Sequence, residues 1–244
     1  MKGLIIAAGK GSRIASIGSS KPLIPLLDIP LIEWVIQTAY QGGIDEFYVV
    51  IGYNGDRVHS FLKQLSHRLK IPITPLLNEE WGKANGISVL KARESLTEPF
   101  VLCMADHIFE AEIITALSQL PLENGTVKLA VDYGLETSRL VDQSDVTKVL
   151  VDEGKIIDIG KDISRFNAYD TGLFYCSPVL FEAIEASIAD HGDDTLSGAM
   201  RVLGQRGKAY PVDVGTHVWL DIDTVQNLRK AEELILSGQL KKFV

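Results

Sequence analysis

Cysteine is scarce in this chain: 244 residues contain two, Cys103 and Cys176. Both lie in apolar, strand-like stretches, far apart and with no paired-cysteine spacing, so buried free thiols are expected rather than a disulfide or a zinc site. Long apolar runs are missing as well. None reaches the ~18 residues of a membrane span, and the short apolar start at Leu4 runs straight into a charged loop, unlike a secretory signal. A cytoplasmic protein is expected. An excess of positive charge is also lacking, with 24 Lys and Arg against 32 Asp and Glu and a net charge of −8. That balance excludes a nucleic-acid polymer as the natural partner, because such binding needs a basic surface. Any phosphate binding therefore has to be local. The charged fraction of 23% lacks the Lys and Glu enrichment of hyperthermophile proteins. There is no internal repeat, low-complexity tract or linker.

What is present is ordinary globular chemistry, 46% hydrophobic, in a length that suits one large α/β domain. Apolar segments at 3–7, 46–51, 72–77 and 100–104 alternate with helical spacing at 31–40, 57–69 and 85–93. In 57–69, Val58, Phe61, Leu62 and Leu65 share one helical face. The βαβαβαβ order predicts an α/β fold with a mixed, mainly parallel central sheet between helical layers, a three-layer α/β/α sandwich, and ligands at the carboxyl ends of its strands. After residue 110 the rhythm changes. Segments 147–151 and 155–159 flank Asp152-Glu153-Gly154 as a hairpin, with strands at 128–133, 169–176 and 209–214 and helices at 179–189, 196–203 and 225–236. The chain is read as one domain over 1–244, with a first half at 1–110 and, at 111–244, a second half that includes a lid over the same sheet. The 234–244 stretch is read either as packing or as a homodimer surface.

The segment Leu4-Ile5-Ile6-Ala7-Ala8-Gly9-Lys10-Gly11-Ser12-Arg13, followed by Lys21-Pro22-Leu23, joins a strand to a small-residue loop with two cations eight residues apart. Gly9 and Gly11 are able to take positive φ and present backbone N–H groups to anionic oxygens. Arg13 and Lys21 add mobile charge, which together suits a triphosphate. A dinucleotide fingerprint is disfavoured by Ile14 at the position that needs glycine or alanine. A Walker loop is excluded because Pro22 follows Lys21 and cannot continue a helix.

Carboxylates complete the pattern. Asp106 ends the apolar run Cys103-Met104-Ala105, which puts it at the same sheet edge as the loop. A carboxylate beside a triphosphate most naturally holds Mg²⁺, a hard ion with oxygen ligands; the alternative role is capping a helix near Glu110. Asp221 and Asp223, two apart after an apolar strand, point to one face. A cation would relieve their repulsion. Asp221 is favoured as a ligand, and Asp223 as a second ligand or the cap of the last helix. His107 is read as structural.

These residues resemble the signature of the sugar-phosphate nucleotidylyltransferases of GT-A-like fold, and the likeness covers nearly the whole chain. Beyond Leu4 to Arg13 with Lys21-Pro22, it is carried by Asn85-Gly86, Asp106-His107, Gly160-Lys161-Asp162, Asp170-Thr171-Gly172 and Trp219-Leu220-Asp221-Ile222-Asp223-Thr224. Within the family the series is most similar to the CTP:inositol-1-phosphate cytidylyltransferases. Some members of that family carry a fused membrane lipid-synthase domain, absent here, so the transferase is expected to stand alone. The resemblance implies that Ala7, Ala8, Gly9 and Gly11 line the nucleotide, that Arg13 and Lys21 hold its phosphates, and that Asn85 and Gly86 lie near the base. It implies Mg²⁺ on Asp106 and Asp221, with Asp223 beside them. Lys161, Asp170, Thr171 and Gly172 would meet a small phosphomonoester, with Arg165 a further candidate for its phosphate. The implied reaction is attack of the acceptor phosphate on the α-phosphorus of CTP, which needs no side-chain nucleophile and explains why no His or Cys triad is found. The alternatives are a phosphocholine or sugar-1-phosphate nucleotidylyltransferase and, from another class, a non-catalytic nucleotide sensor.

Overall fold

The computed structural model describes residues 1–119, 121–134 and 145–243. Positions 135–144 of the expected lid and Val244 of the terminal stretch lie outside the described residues. Strand β1 (Lys2–Ala7) leads through two short 3-10 turns, Ser12–Ile14 and Lys21–Leu23, to a small ribbon of β2 (Pro25–Leu26) and β3 (Ile29–Pro30). Then come α1 (Leu31–Gln41), β4 (Glu46–Ile51), α2 (Gly55–Leu69), β5 (Ile73–Leu77), α3 (Asn85–Leu90) and β6 (Phe100–Met104). The second half adds β7 (His107–Phe109), α4 (Ala111–Gln119), β8 (Val127–Asp132), the hairpin β9 (Lys148–Asp152) and β10 (Lys155–Gly160), and β11 (Ala168–Cys176). It ends with α5 (Val179–His191), α6 (Leu196–Gln205), β12 (Ala209–Asp213), β13 (Trp219–Asp221) and α7 (Val225–Leu236).

The main sheet runs β10-β9-β11-β6-β1-β4-β5, with β8 added to β11 and β12 to β8. β1 lies parallel to both β4 and β6, and β5 is parallel to β4. β11 runs antiparallel to β6, β8 and β9. The expected mixed sheet flanked by helices is therefore present. Its central strands are apolar at nearly every position because both faces are covered. Leu4, Val50 and Leu102 face one side, among Val89 and Phe181. Ile5, Val49 and Cys103 face the other, among Ile36, Leu62 and Leu117. Alternating Cβ directions thus split one run between two cores. Cys103 and Cys176 are buried free thiols, as expected, and burial raises the pKa of each.

A third cluster seats the end of the chain. β13 pairs with β7 over only three residues, too few to hold a two-stranded ribbon alone. Leu220, Ile222, Leu228 and Leu234 pack with Trp34 and Ile108, and each buried aliphatic side chain contributes about 1.5–3 kcal/mol. Packing, not ladder hydrogen bonds, holds this ribbon.

Local differences from the sequence reading have local causes. α3 stops at Leu90 instead of continuing to Arg93, because Lys91, Ala92 and Arg93 donate to Ser88, Val89 and Leu90 in three-residue turns. Asp106 caps no helix: the chain turns into β7 before α4 begins at Ala111.

Candidate active site

The phosphate-type loop leaves the carboxyl end of β1, the strand between β4 and β6. Gly11 takes φ +62, and a Cβ there would lie 2.5 Å from that of Lys21. Glycine is thus required both by the backbone and by the close approach of Lys21. Gly9, expected to share this conformation, is not among the positive-φ residues. An added Cβ there would meet nothing within 4 Å, so it keeps the cavity wall open rather than making the turn. Ile6, Ala7, Gly9, Gly11, Arg13 and Lys21 line a cavity of about 270 Å³. Ala8 is buried and does not line it; its carbonyl accepts from the Tyr53 N–H at 2.9 Å.

Asp106 sits in the turn between β6 and β7, and its carbonyl accepts from the Ile222 N–H at 2.8 Å. With His107 opposite Asp221 in the β7–β13 pair, residues more than a hundred positions apart become neighbours. Lys21, 8% exposed, places its ammonium on Asp106 and on Asp223, the latter at 2.6 Å. Burial works against charge on Lys21, but Asp106 and then Asp223 outweigh it and raise its pKa. Burial likewise opposes the Asp106 carboxylate, yet Lys21 and His107 hold it down at about 2. Asp221 moves the other way: burial and the charges of Asp223 and Asp106 raise it against the pull of His107. Among the described residues no Lys or Arg pairs with Asp221. Asp223 does not cap α7. Thr224 does, accepting from the Asn227 N–H while Asn227 Oδ1 accepts from the Thr224 N–H. That leaves the Asp223 carboxylate to Lys21 and to Arg13, which is 2.8 Å away.

Next to the first cavity lies a second of about 220 Å³, whose lining includes Asn85, Asp145, Lys161, Asp170, Gly172 and Asp221. Arg13, Asp106 and Asp223 line both cavities. Gly172, at φ +74, falls where the β11–β8 register shifts, and a Cβ there would collide with the His107 ring. His107 Nδ1 lies 2.7 Å from the Thr171 carbonyl, so that nitrogen carries the proton and donates it. Asp170 accepts from the Gly172 N–H at 2.7 Å, and burial pushes its carboxyl up to about 6. Thr171 is turned from the cavity: fully buried, it donates its hydroxyl to the Ala130 carbonyl at 2.8 Å. Arg165 is exposed and lines neither cavity. Asn85 lines the second cavity, not the first, and accepts from the Leu196 N–H at 2.8 Å. Gly86 is packed against the Asp194 carbonyl. Sequence reading passed over Asp145, whose carboxylate meets Arg13 on one oxygen and Lys161 at 2.5 Å on the other. No local pattern marks it, since it lies in a polar loop before β9.

A family profile described as the MobA-like NTP transferase domain matches residues 3–206. Over 95% of its length the chain is 32% identical to the bifunctional IPC transferase and DIPP synthase of Rubrobacter xylanophilus, covering 51% of that protein. It is 29% identical to the protein of the same name from Archaeoglobus fulgidus, over 99% of this chain and 45% of that one. The chain thus spans about half the length of these curated relatives. The solved inositol-1-phosphate CTP transferase from T. maritima aligns with a TM-score of 0.84 at 24% identity, covering 96% of this chain and 94% of that one. A UDP-glucose pyrophosphorylase complexed with UDP-glucose aligns with a TM-score of 0.78 at 19% identity, covering 97% and 98%. These two likenesses are of fold. Among the described residues no helix is long and apolar enough to cross a membrane.

Proposed function

The chain belongs to the MobA-like NTP transferase family, and from that premise we propose that it transfers CMP from CTP to inositol 1-phosphate, giving CDP-inositol and pyrophosphate. The observation that carries the reading is the pair of adjoining cavities with Arg13, Asp106 and Asp223 in their common wall. A reaction between two phosphates needs two anion-binding spaces that meet at charges of both signs. The names of the Rubrobacter and Archaeoglobus relatives support inositol phosphate as the acceptor class.

In this reading Arg13 and Lys21 bind the triphosphate over the Gly9–Gly11 loop. Ala7 lines its path, and the backbone beside Ala8 braces the loop. Lys161 receives the acceptor phosphate, and Asp170 accepts hydrogen bonds from acceptor hydroxyls above Gly172. His107 holds the backbone at Thr171 and Gly172, whose conformation aims Asp170. A phosphomonoester has its second pKa near ~6 and is largely dianionic at neutral pH, so its oxygen attacks the α-phosphorus without a general base and pyrophosphate leaves. The protein's work is to align two repelling anions and to balance the charge that develops on the leaving group.

Nucleotidyltransferases of this kind generally use a divalent metal. The donor set fits one: among the described residues Asp221 pairs with no Lys or Arg, burial and the charges of Asp223 and Asp106 raise it, and Asp221 and Asp223 bring oxygens within 4.8 Å of each other, with Asp145 the third member of that group. Asp106, Asp221 and Asp223 would hold Mg²⁺, which would supply positive charge to the phosphate oxygens. A pyrophosphate-release screen of the purified protein with four nucleoside triphosphates and several phosphomonoesters, with and without Mg²⁺, tests the reading. CTP with inositol 1-phosphate is expected to turn over fastest; faster turnover of a sugar 1-phosphate or phosphocholine, or no release with any pair, overturns it.

A further inference from the structure

We propose that Asp145 is a built-in counter-ion that holds the nucleotide-side Arg13 and the acceptor-side Lys161 in place in the substrate-free protein, and that incoming phosphates compete with it for both. The inference rests on the substrate assignment above. Asp145 follows no motif, yet it is the point at which the two halves of the site touch: one oxygen meets Arg13 and the other lies 2.5 Å from Lys161 Nζ. Both cations are about half exposed, at 51% and 52%, whereas Asp145 is 25% exposed. Long cationic side chains lose much rotamer freedom when they are ordered. Here a less exposed carboxylate orders them before substrate arrives. Among the described residues Lys161 forms no other ion pair, and the other ion pair of Arg13 is with Asp223.

Asp145 also lies close to Asp221 and Asp223, which raises a different role, that of a metal ligand. Both Asp145 oxygens are taken by cations, as both Asp223 oxygens are by Lys21 and Arg13, so pairing alone does not separate the two roles; what sets Asp145 apart is that one of its cations, Lys161, lines the second cavity and not the first. A carboxylate flanked by two cations occupies the place of an anion, and an anion is what each cation meets when a phosphate binds. Removing its charge therefore frees Arg13 and Lys161, and free phosphate should bind more tightly. A residue that merely supports the fold would have the opposite effect.

The test is isothermal titration of the metal-free protein with inorganic phosphate and with pyrophosphate, for the wild type, Asp145→Asn, Asp145→Ser and Asp145→Glu. Both neutral variants are expected to bind tighter by about 2- to 5-fold, in the range that one partly exposed ion pair carries. Asp145→Glu, which keeps the charge, should stay near the wild type. Unchanged or weaker phosphate binding in whichever neutral variant retains a wild-type circular dichroism spectrum overturns the proposal. So does a loss of Mg²⁺ affinity with phosphate binding unaltered, which would make Asp145 a metal ligand. Cytidylyl transfer is assayed separately: a wild type that never releases pyrophosphate from CTP sinks the substrate assignment but leaves the phosphate titrations to judge Asp145.

Discussion

Lys21 keeps its charge at a position 8% exposed because two carboxylates close on its ammonium. The same side chain stands in the wall of the first cavity, so in the proposed reaction the charge that balances these acids is also placed to balance phosphate oxygens. Lys21→Ala should lower kcat by about 100-fold or more, the loss usual for a donor aimed at developing charge, with a much smaller change in KM for the acceptor. Pyrophosphate-release kinetics read both; an undiminished kcat removes Lys21 from the mechanism. Asp106 makes a prediction about acid. Its folded pKa of about 2 lies below the unfolded ~3.9, so its contribution is present above about pH 4 and is lost as pH falls through about 2. The difference corresponds to about 2–3 kcal/mol. In metal-free buffer Asp106→Asn should be less stable than wild type by about that amount at pH 6, and the gap should close toward pH 2.5. Urea unfolding at both pH values measures it, and a gap that stays constant disproves the linkage.

At the scale of elements, the acids are placed by how α7 begins. Thr224 and Asn227 satisfy each other's backbone N–H groups, and the three residues just before them are Asp221, Ile222 and Asp223. Thr224→Ala should cost about 1 kcal/mol, as the loss of an N-cap does. It should also lower kcat, because the segment carrying both acids loses its anchor. Chemical denaturation and turnover on one preparation give the two numbers; a full loss of stability with unaltered kcat would separate the cap from the site. The limits of β4, β6 and α7 were legible in the sequence, since each is an apolar run or an amphipathic repeat with clear neighbours. Of the two roles read for Asp223, second ligand or cap of α7, the cap is the one the structure overturns, because Asp and Thr both suit an N-cap and only Thr224 of the two adjacent candidates is used. The 3-10 turns after Leu90 were illegible for a related reason: their side-chain spacing imitates one more turn of α-helix.

For the whole molecule, the decisive contact is between the halves. β6 pairs on one side with β1 and on the other with β11, so the sheet runs without a break across the boundary near residue 110. A fragment of residues 1–110 exposes that edge of β6 and loses the Phe181 side of its core. It is expected to show no cooperative thermal transition by circular dichroism; a sigmoidal melt would mean that residues 1–110 fold alone. Sequence by itself determined the alternation of strand and helix, the glycine turn at Gly11, and the residue types able to handle phosphate, because these depend on local periodicity, backbone freedom and charge. Tertiary structure alone decided which charges meet. Asp221 reaches Asp106 through the β7–β13 ribbon, Lys21 is shared between Asp106 and Asp223, and Asp145 joins Arg13 to Lys161. Those encounters depend on how distant segments pack on one sheet, and no local pattern records the distance between side chains 85, 202 or 132 residues apart.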